Sequence, residues 1–378
     1  MNILITGAFG FVGTNLSAYL VSKGHELWAL DVGDAVGSRQ SAVGSTERAH
    51  GGTERTLTAN EANRANGAGR GAYVRCFGWE ELDDIPWGEA DAVIHLAGKA
   101  HDTRNTSDAQ SYFDINVGLT KRVLERFLTA NQTNGGNGGT GCSHGGAKAQ
   151  RAFILFSSVK AVADQVEGVL TEEEVPNPQT PYGQSKLEAE GLVQSAVGSW
   201  QSAGRYYVLR PCMIHGPGNK GNLNLLYTVF RRGIPWPLGA FENRRSFASV
   251  GNVCAVVEGL LKGDAPSGIY QVADDASLST NELIGLMAQA LGRRVKIWRV
   301  PAGWVRAVAR AGDALRLPLN SERLKKLTES YIVSNSKIKK ALGWAVMPVS
   351  AQEGMRKTLE SFGASSLTEA RSSQRPND

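Results

Sequence analysis

The chain predicts an α/β fold: a doubly wound parallel sheet with a smaller lobe C-terminal to it. Three observations carry this. Short apolar runs alternate with longer amphipathic patterns as far as about Arg210. A glycine-rich turn, Gly7-Ala8-Phe9-Gly10-Phe11-Val12-Gly13, stands between the first strand-like run and the first helical one. Beyond Arg210 the pattern gives way to shorter strands, helices and loops containing Pro and Gly. With 378 residues there is ample chain for a buried core. The expected division is 1–210, then 211–362 interleaved with the first part, then a polar, disordered tail at 363–378.

Element by element, Asn2-Ile3-Leu4-Ile5-Thr6 reads as a buried strand and residues 11–23 as a helix. Glu26-Leu27-Trp28-Ala29-Leu30 reads as a second strand, closed by Asp31. The glycines let the backbone approach a pyrophosphate at the helix N-terminus, where unbonded N–H groups and the helix dipole favour an anion. Asp31 follows at the distance where an acid reaches adenosine ribose hydroxyls, about 20 residues on. Further strands are expected near 72–76, 91–96, 152–157 and 205–210, and helices near 109–130 and 180–203. In the second part, helices are expected near 222–232, 280–291 and 336–342. Ligands of such sheets bind beyond the carboxyl ends of the strands, where Gly7, Leu96, Ser158 and Pro211 fall. Residues 33–71 and 131–149 are rich in Gly, Ser, Thr and Asn and poor in large apolar side chains, so they read as insertions.

Chemistry points to Pro181-Tyr182-Gly183-Gln184-Ser185-Lys186, downstream of a Ser157-Ser158 pair. Four residues apart on a helix, Tyr182 and Lys186 share a face. A cation beside a phenol favours the phenolate, so Lys186 is expected to lower the Tyr182 pKa. With a serine hydroxyl from a strand end on the same substrate oxygen, this is a proton-transfer unit for oxidising an alcohol or reducing a ketone.

These motifs resemble the extended short-chain dehydrogenase/reductase family. Thr6-Gly7-Ala8-Phe9-Gly10-Phe11-Val12-Gly13 is similar to its cofactor loop, and Asp91-Ala92-Val93-Ile94-His95-Leu96-Ala97-Gly98 to its fourth-strand motif. Asp114-Ile115-Asn116-Val117 resembles its Asn-bearing helix, and Phe153-Ile154-Leu155-Phe156-Ser157-Ser158 its strand ending in the catalytic Ser. A narrower resemblance, to the nucleotide-sugar branch typified by UDP-glucose 4-epimerase, rests on Gly233-Ile234-Pro235-Trp236-Pro237-Leu238-Gly239 and on three further stretches. They are Leu209-Arg210-Pro211 with His215-Gly216-Pro217-Gly218-Asn219-Lys220-Gly221-Asn222, Asn243-Arg244-Arg245-Ser246-Phe247, and Ser334-Asn335-Ser336-Lys337.

The resemblance implies a Rossmann sheet with Ser158, Tyr182 and Lys186 as the catalytic set, Ser157 being the fallback for the hydroxyl. It implies cofactor contacts at Gly7, Gly10, Phe11, Val12, Gly13, Asp31, Leu96, Ala97, Gly98, Asn116, Tyr182, Lys186 and Pro211. Ser158, Asn222 and Arg245 are then the substrate contacts, the last gripping a diphosphate. NAD is the expected cofactor, because Asp31 repels a 2′-phosphate, with NADP as the alternative. A UDP-linked sugar, a homodimer and a cytoplasmic location are also implied. Two reactions share these residues: 4-epimerisation and 4-keto reduction. Dehydration is disfavoured, since Val159-Lys160 stand where an Asp-Glu pair is needed. The alternative from another class is a non-catalytic dinucleotide-binding sensor or scaffold.

Composition excludes other classes. The net charge of +5 is modest, and no basic run is interleaved with aromatics as nucleic-acid binding would need. The four cysteines are scattered without metal-ligand spacing, so no metal is expected, and a reducing compartment is. No apolar run reaches the length of a membrane span.

Overall fold

The computed structural model describes residues 1–31, 72–100, 108–136, 150–196, 204–219, 222–294, 296–315 and 320–372. The expected insertions at 33–71 and 131–149 lie outside these residues, except that 131–136 end a helix. In chain order the elements begin β1 (Asn2–Thr6), α1 (Phe11–Ser22), β2 (Glu26–Asp31), β3 (Arg75–Gly78), β4 (Ala92–His95), α2 (Ala109–Gly136), β5 (Arg151–Phe156), β6 (Val169–Leu170), α3 (Pro181–Ser195), β7 (Gly204–Pro211) and β8 (Met213–His215). They continue α4 (Asn222–Arg231), β9 (Arg244–Arg245), β10 (Phe247–Ser249), α5 (Val250–Lys262), β11 (Gly268–Val272), β12 (Leu278–Ser279), α6 (Thr280–Ala290), α7 (Ala302–Leu315), α8 (Ser321–Thr328), β13 (Ile332–Val333), α9 (Ser336–Leu342) and α10 (Ala351–Ser372).

Two compact units share the chain. The first comprises Met1–Asp164, Glu173–Pro211 and Cys254–Tyr270; the second comprises Gln165–Glu172, Cys212–Val253 and Gln271–Asp378. The chain crosses between them more than once, so a single boundary near 211 describes only one of the crossings.

The first unit is built on a seven-stranded sheet of order β11-β7-β5-β4-β1-β2-β3. Every pairing from β3 across to β7 is parallel. Strand order reverses between β1 and β4, the place where a doubly wound sheet opens a crevice for its ligand. A parallel sheet survives only when both faces are covered, and the strands show it. Leu4, Trp28, Leu30, Val93, Phe153, Leu155 and Val208 pack with Val123 and Phe127 of α2 and with Ala189 and Val193 of α3. The alternate residues Ile3, Ile5, Leu27, Ala29, Ile94, Ile154 and Leu209 are equally buried.

Between β1 and α1, Gly7 takes φ +67°, which turns the chain sharply, and its N–H donates to the Leu30 carbonyl at 2.9 Å. Tyr73 then braces the loop: its hydroxyl donates to the Ala8 carbonyl at 2.9 Å, and its ring meets Phe9 edge to face. Strand β3 starts at Arg75 rather than at the expected 72. Helix α3 ends at Ser195, short of the expected 203, with 197–203 outside the described residues.

The second unit has its own core, in which Leu223, Tyr227 and Phe230 of α4 meet Leu283, Ile284 and Met287 of α6 and Met355, Leu359 and Phe362 of α10. Ser279 and Glu282 form a reciprocal capping box that starts α6. Helix α10 runs to Ser372, so the expected disordered tail is helical over most of its length. No proline stands between Pro348 and Pro376, and the helix continues from residues anchored in the core. Residues 373–378 lie outside the described residues.

A Cβ added at Gly13 would lie 2.5 Å from the carbonyl oxygens of Gly7 and Ala8, backbone atoms that cannot turn aside. Gly191, exposed on α3, has nothing within 4 Å of the same position. Gly13→Ala is therefore expected to lower the unfolding free energy by roughly 1–3 kcal/mol, the usual cost of overpacking. Gly191→Ala should raise it by about 0.5–1 kcal/mol. Denaturant midpoints of the two variants check the contrast.

Candidate active site

Helix α3 starts where the chemistry needs it to. Thr180 caps it by accepting the Gly183 N–H at 3.3 Å, and Pro181 occupies the first helical position. Tyr182 and Lys186 then follow on successive turns. From the other side, β5 ends at Phe156 and Ser158 caps a short 3-10 turn, Val159–Ala161, by accepting the Lys160 N–H at 3.2 Å. These two backbones touch. A Cβ at Gly183 would stand 2.4 Å from the Lys160 carbonyl oxygen, so only glycine next to Tyr182 permits the approach. The approach brings the Ser158 hydroxyl to the Tyr182 phenol, where it holds the phenol's pKa down.

The electrostatics differ from the expectation. Burial pushes the Tyr182 phenol up, the Ser158 hydroxyl opposes it, and the neighbouring Tyr112 adds to the rise. Tyr112 meets the Tyr182 ring edge to face, with centroids 6.1 Å apart. Lys186 is not among the causes of that rise, and its ammonium donates to the Phe156 carbonyl at 3.0 Å. The lysine itself is pulled down to about 8 by burial, and Glu190 acts against that fall.

Asn116, buried on α2, ties the loop after β4 to α3. Its Oδ1 accepts the Lys99 N–H at 2.7 Å, and its Nδ2 donates to Ser185 Oγ at 2.9 Å. Ser185 Oγ in turn donates to the Tyr182 carbonyl at 2.9 Å. Gly98 lies against both groups, since a Cβ there would sit 2.7 Å from Asn116 Oδ1 and 3.2 Å from Lys186 Nζ.

Ser157 is not equivalent to Ser158. It points into the interior, is 5 % exposed, and its hydroxyl donates to Glu190. Glu190 is paired with Arg210 of β7, whose Nε lies 2.9 Å from Oε1 and whose Nη2 lies 2.5 Å from Oε2. The geometry therefore brings Ser158, and not Ser157, to the phenol.

Two groups that the motifs do not advertise complete the site. Thr120 Oγ1 donates to the Asn116 carbonyl at 2.6 Å, so at 3.1 Å from His95 it accepts the Nε2 proton. Nδ1 of His95 then accepts the Thr6 hydroxyl at 2.7 Å, and Thr6 accepts the Ala97 N–H at 3.1 Å. The chain of bonds holds Ala97 and Leu96 at the carboxyl edge of β4. Burial first, and Lys186 second, pull His95 down to about 3, so the ring stays neutral. Asp31, at the end of β2, accepts the Phe9 N–H at 2.8 Å and thereby fixes the glycine loop.

The first unit fits a dinucleotide at the crevice. Helix α1 opens at Gly10, which has no side chain to occupy its first N–H groups, and its first turn carries no acid. Gly7, Gly10, Phe11, Val12, Gly13 and Asp31 surround that N-terminus, and Leu96, Ala97 and Gly98 follow the adjacent strand. Pro211 ends β7. Among the described residues, no group of three or more His, Cys, Asp or Glu is placed to hold a metal, and no helix is long and apolar enough to cross a membrane.

In the second unit, Asn222 is the first residue of α4. Arg245 lies in β9, antiparallel to β12, and its Nε donates to the Glu329 carbonyl at 3.2 Å. Burial pulls its guanidinium down from the usual value while Glu329 opposes the shift.

A Rossmann sheet carrying a glycine loop, a strand-end serine and a Tyr/Lys helix defines a class of dinucleotide-dependent enzyme. The family model described as the NAD dependent epimerase/dehydratase family matches residues 3–273, and the chain belongs to that family, whose cofactor is NAD. It is 26% identical over 371 residues to UDP-glucose 4-epimerase of Vibrio cholerae, covering 96% of this chain and 95% of that one. It is likewise 26% identical over 320 residues to GDP-6-deoxy-D-mannose reductase of Pseudomonas aeruginosa, covering 82% and 86%. The fold matches the crystal structure of UDP-glucuronic acid 4-epimerase from Bacillus cereus in complex with NAD, with a TM-score of 0.63, 18% identity, and coverage of 96% and 99%.

The neutral His95 has a measurable consequence. Its folded value of about 3 lies below the ordinary 6.5, so the unfolded chain binds the proton first. The stability it contributes is complete above pH 6.5 and is lost as pH falls from 6.5 toward 3. The slope from this one group is at most about 1.4 kcal/mol per pH unit. Unfolding free energies measured across that window should lose this slope in His95→Gln, whatever that variant's absolute stability.

Proposed function

We propose that the protein is an NAD-dependent nucleotide-sugar enzyme that interconverts an alcohol and a ketone at the sugar C4. The observation that supports this best is the approach of the Ser158 hydroxyl to the Tyr182 phenol, with Lys186 one helical turn further along the same face. Bound NAD supplies hydride transfer. The protein's own residues handle the proton and the geometry. Tyr182 exchanges the proton of the sugar hydroxyl. Ser158, whose oxygen already accepts the Lys160 N–H, has its own proton directed to the phenol and so favours the phenolate as it forms. Lys186 is proposed to hold the nicotinamide ribose, and its charge to stabilise the phenolate once the proton has left. Asn222 and Arg245 are proposed to hold the substrate, Arg245 at the diphosphate, and UDP is the proposed nucleotide.

Epimerisation and 4-keto reduction pass through the same alcohol and ketone, so these residues serve both. The distinction lies in whether the cofactor stays. Mass spectrometry of the denatured, purified protein should release NAD from an epimerase and none from a reductase that takes its cofactor from solution.

Tyr182→Phe keeps the ring against Tyr112 and removes the exchangeable proton. Turnover is expected to fall by a factor on the order of 10²–10⁴, the worth of general acid–base catalysis, with NAD binding retained. Ser158→Ala should cost less. Near-normal turnover in Tyr182→Phe, across a panel of nucleotide sugars, would return the protein to the sensor class.

Arg245→Ala should weaken UDP-sugar binding and leave NAD affinity unchanged. The expected loss is roughly 2–5 kcal/mol if the guanidinium meets a desolvated phosphate, against about 0–1 kcal/mol for a surface ion pair. Unchanged calorimetric affinity for UDP would remove Arg245 from the site.

A further inference from the structure

Below the catalytic pair, the same helix carries a third ionisable residue on the same face. Tyr182, Lys186 and Glu190 are spaced by four along α3, so they form one stripe. Glu190 has 1 % of its side chain exposed, and its partner Arg210 has 3 %. Arg210 Nε donates to Oε1 at 2.9 Å and to Oε2 at 3.1 Å, and Nη2 donates to Oε2 at 2.5 Å. The Ser157 hydroxyl donates to Oε1 as well. One carboxylate on α3 thus grips the ends of two strands, β5 through Ser157 and β7 through Arg210. The residue after Ser157 is the one that approaches the phenol.

We propose that Glu190 is a positioning residue for the reaction: joined to Arg210 and Ser157, it fixes the strand end that presents Ser158 and sets a negative charge one helical turn from Lys186. The proposal rests on the function proposed above. Its electrostatic part follows from the groups around Lys186. From α3 come Tyr182, a neutral phenol, and Glu190. From β4 comes His95, which is neutral. From the segment after β4 comes Lys99, whose ammonium donates to Ser111. From β7 comes Arg210, whose guanidinium is held on Glu190. Asn116 and Tyr112 approach from α2 without charge. Glu190 is the one negative charge in this set, and it opposes the burial that pulls Lys186 down to about 8. Without it, burial would pull the lysine lower still.

A buried ion pair that only clamps the fold makes a different prediction, and two variants separate the two. Glu190→Gln keeps the shape and the Ser157 contact but leaves Arg210 buried and unpaired, so it can fail to fold. The double variant Glu190→Gln with Arg210→Met removes both buried charges, a change that proteins often tolerate. The measurement is the titration of the Lys186 side chain by NMR in ¹³C-labelled protein, with and without NAD, beside the pH profile of turnover. The Lys186 midpoint should fall by about one pH unit or more in the double variant, as expected for loss of an adjacent opposite charge, and the alkaline limb of turnover should move down with it. Ser157→Ala, which retains the charge, should leave the midpoint in place and lower kcat without raising KM. An unchanged Lys186 midpoint in a folded double variant would overturn the proposal and leave Glu190 a clamp. The NMR titration does not depend on substrate, so a wild-type protein that turns over no nucleotide sugar would defeat the proposed function while the Lys186 midpoint still decides the role of Glu190.

Discussion

The contact of two backbones at Gly183 is the constraint on which the site depends. Residue 183 must lack a side chain for the Lys160 carbonyl to come as close as it does. Only then does the turn after β5 deliver the Ser158 hydroxyl to the phenol on the first turn of α3. The rest of the first unit holds the two partners still. Asn116 and Ser185 fasten the first turn of α3 to the loop after β4, and Thr180 fixes where the helix begins. Positioning of this kind is what a proton-transfer site requires, because donor and acceptor must be within hydrogen-bond reach before any pKa matters.

Burial sets the electrostatics of the unit, and pairing limits its cost. It moves Tyr182 up and Lys186 and His95 down, each toward its neutral form. His95 is accommodated as a neutral ring with both nitrogens bonded, so no charge is buried there. Glu190 and Arg210 are handled in the opposite way, as a bidentate pair with a serine hydroxyl on the same oxygen. A neutral relay on one side of Lys186 and a closed ion pair on the other leave its ammonium as a charge that is desolvated yet directed, bonded to the Phe156 carbonyl.

Much of this was legible in the sequence because it is local. The glycine loop, the strand and helix order, and the four-residue spacing of Tyr182 and Lys186 all lie within short windows, where period and turn chemistry suffice. Ser158 was separable from Ser157 only by the register of a motif; the structure separates them by where each hydroxyl goes. Glu190 could have been found by extending the same spacing one more turn. Arg210 also had a signal, a charge closing the apolar run Tyr207-Val208-Leu209. The Tyr73 brace and the Thr6–His95–Thr120 chain had none, since they join residues 65 and 89 positions apart. The Tyr182 pKa rises where spacing alone suggests a fall, because the first cause is burial, which spacing does not reveal. Helical spacing places two side chains on one face, but it does not say which acceptor a long flexible ammonium will choose, and a backbone carbonyl took it. Helix α5 went unassigned because Val250-Gly251-Asn252-Val253-Cys254-Ala255-Val256-Val257 is rich in β-branched residues, and its tertiary burial overrides that weak preference.

Asp31 links cofactor choice to the shape of the loop. A carboxylate at the end of β2 puts a negative charge there, which opposes a like charge. In the fold the same carboxylate also accepts the Phe9 N–H, and so holds the glycine turn in place. The two roles are not independent. Any residue at 31 that welcomed a phosphate would have to surrender the negative charge, and with it the strongest form of that hydrogen bond. The turn that Asp31 holds leads into the start of α1, where N–H groups without a side-chain cap favour an anion. One side chain therefore sets both the charge at the end of β2 and the hold on the glycine turn, so a substitution at 31 alters the two together.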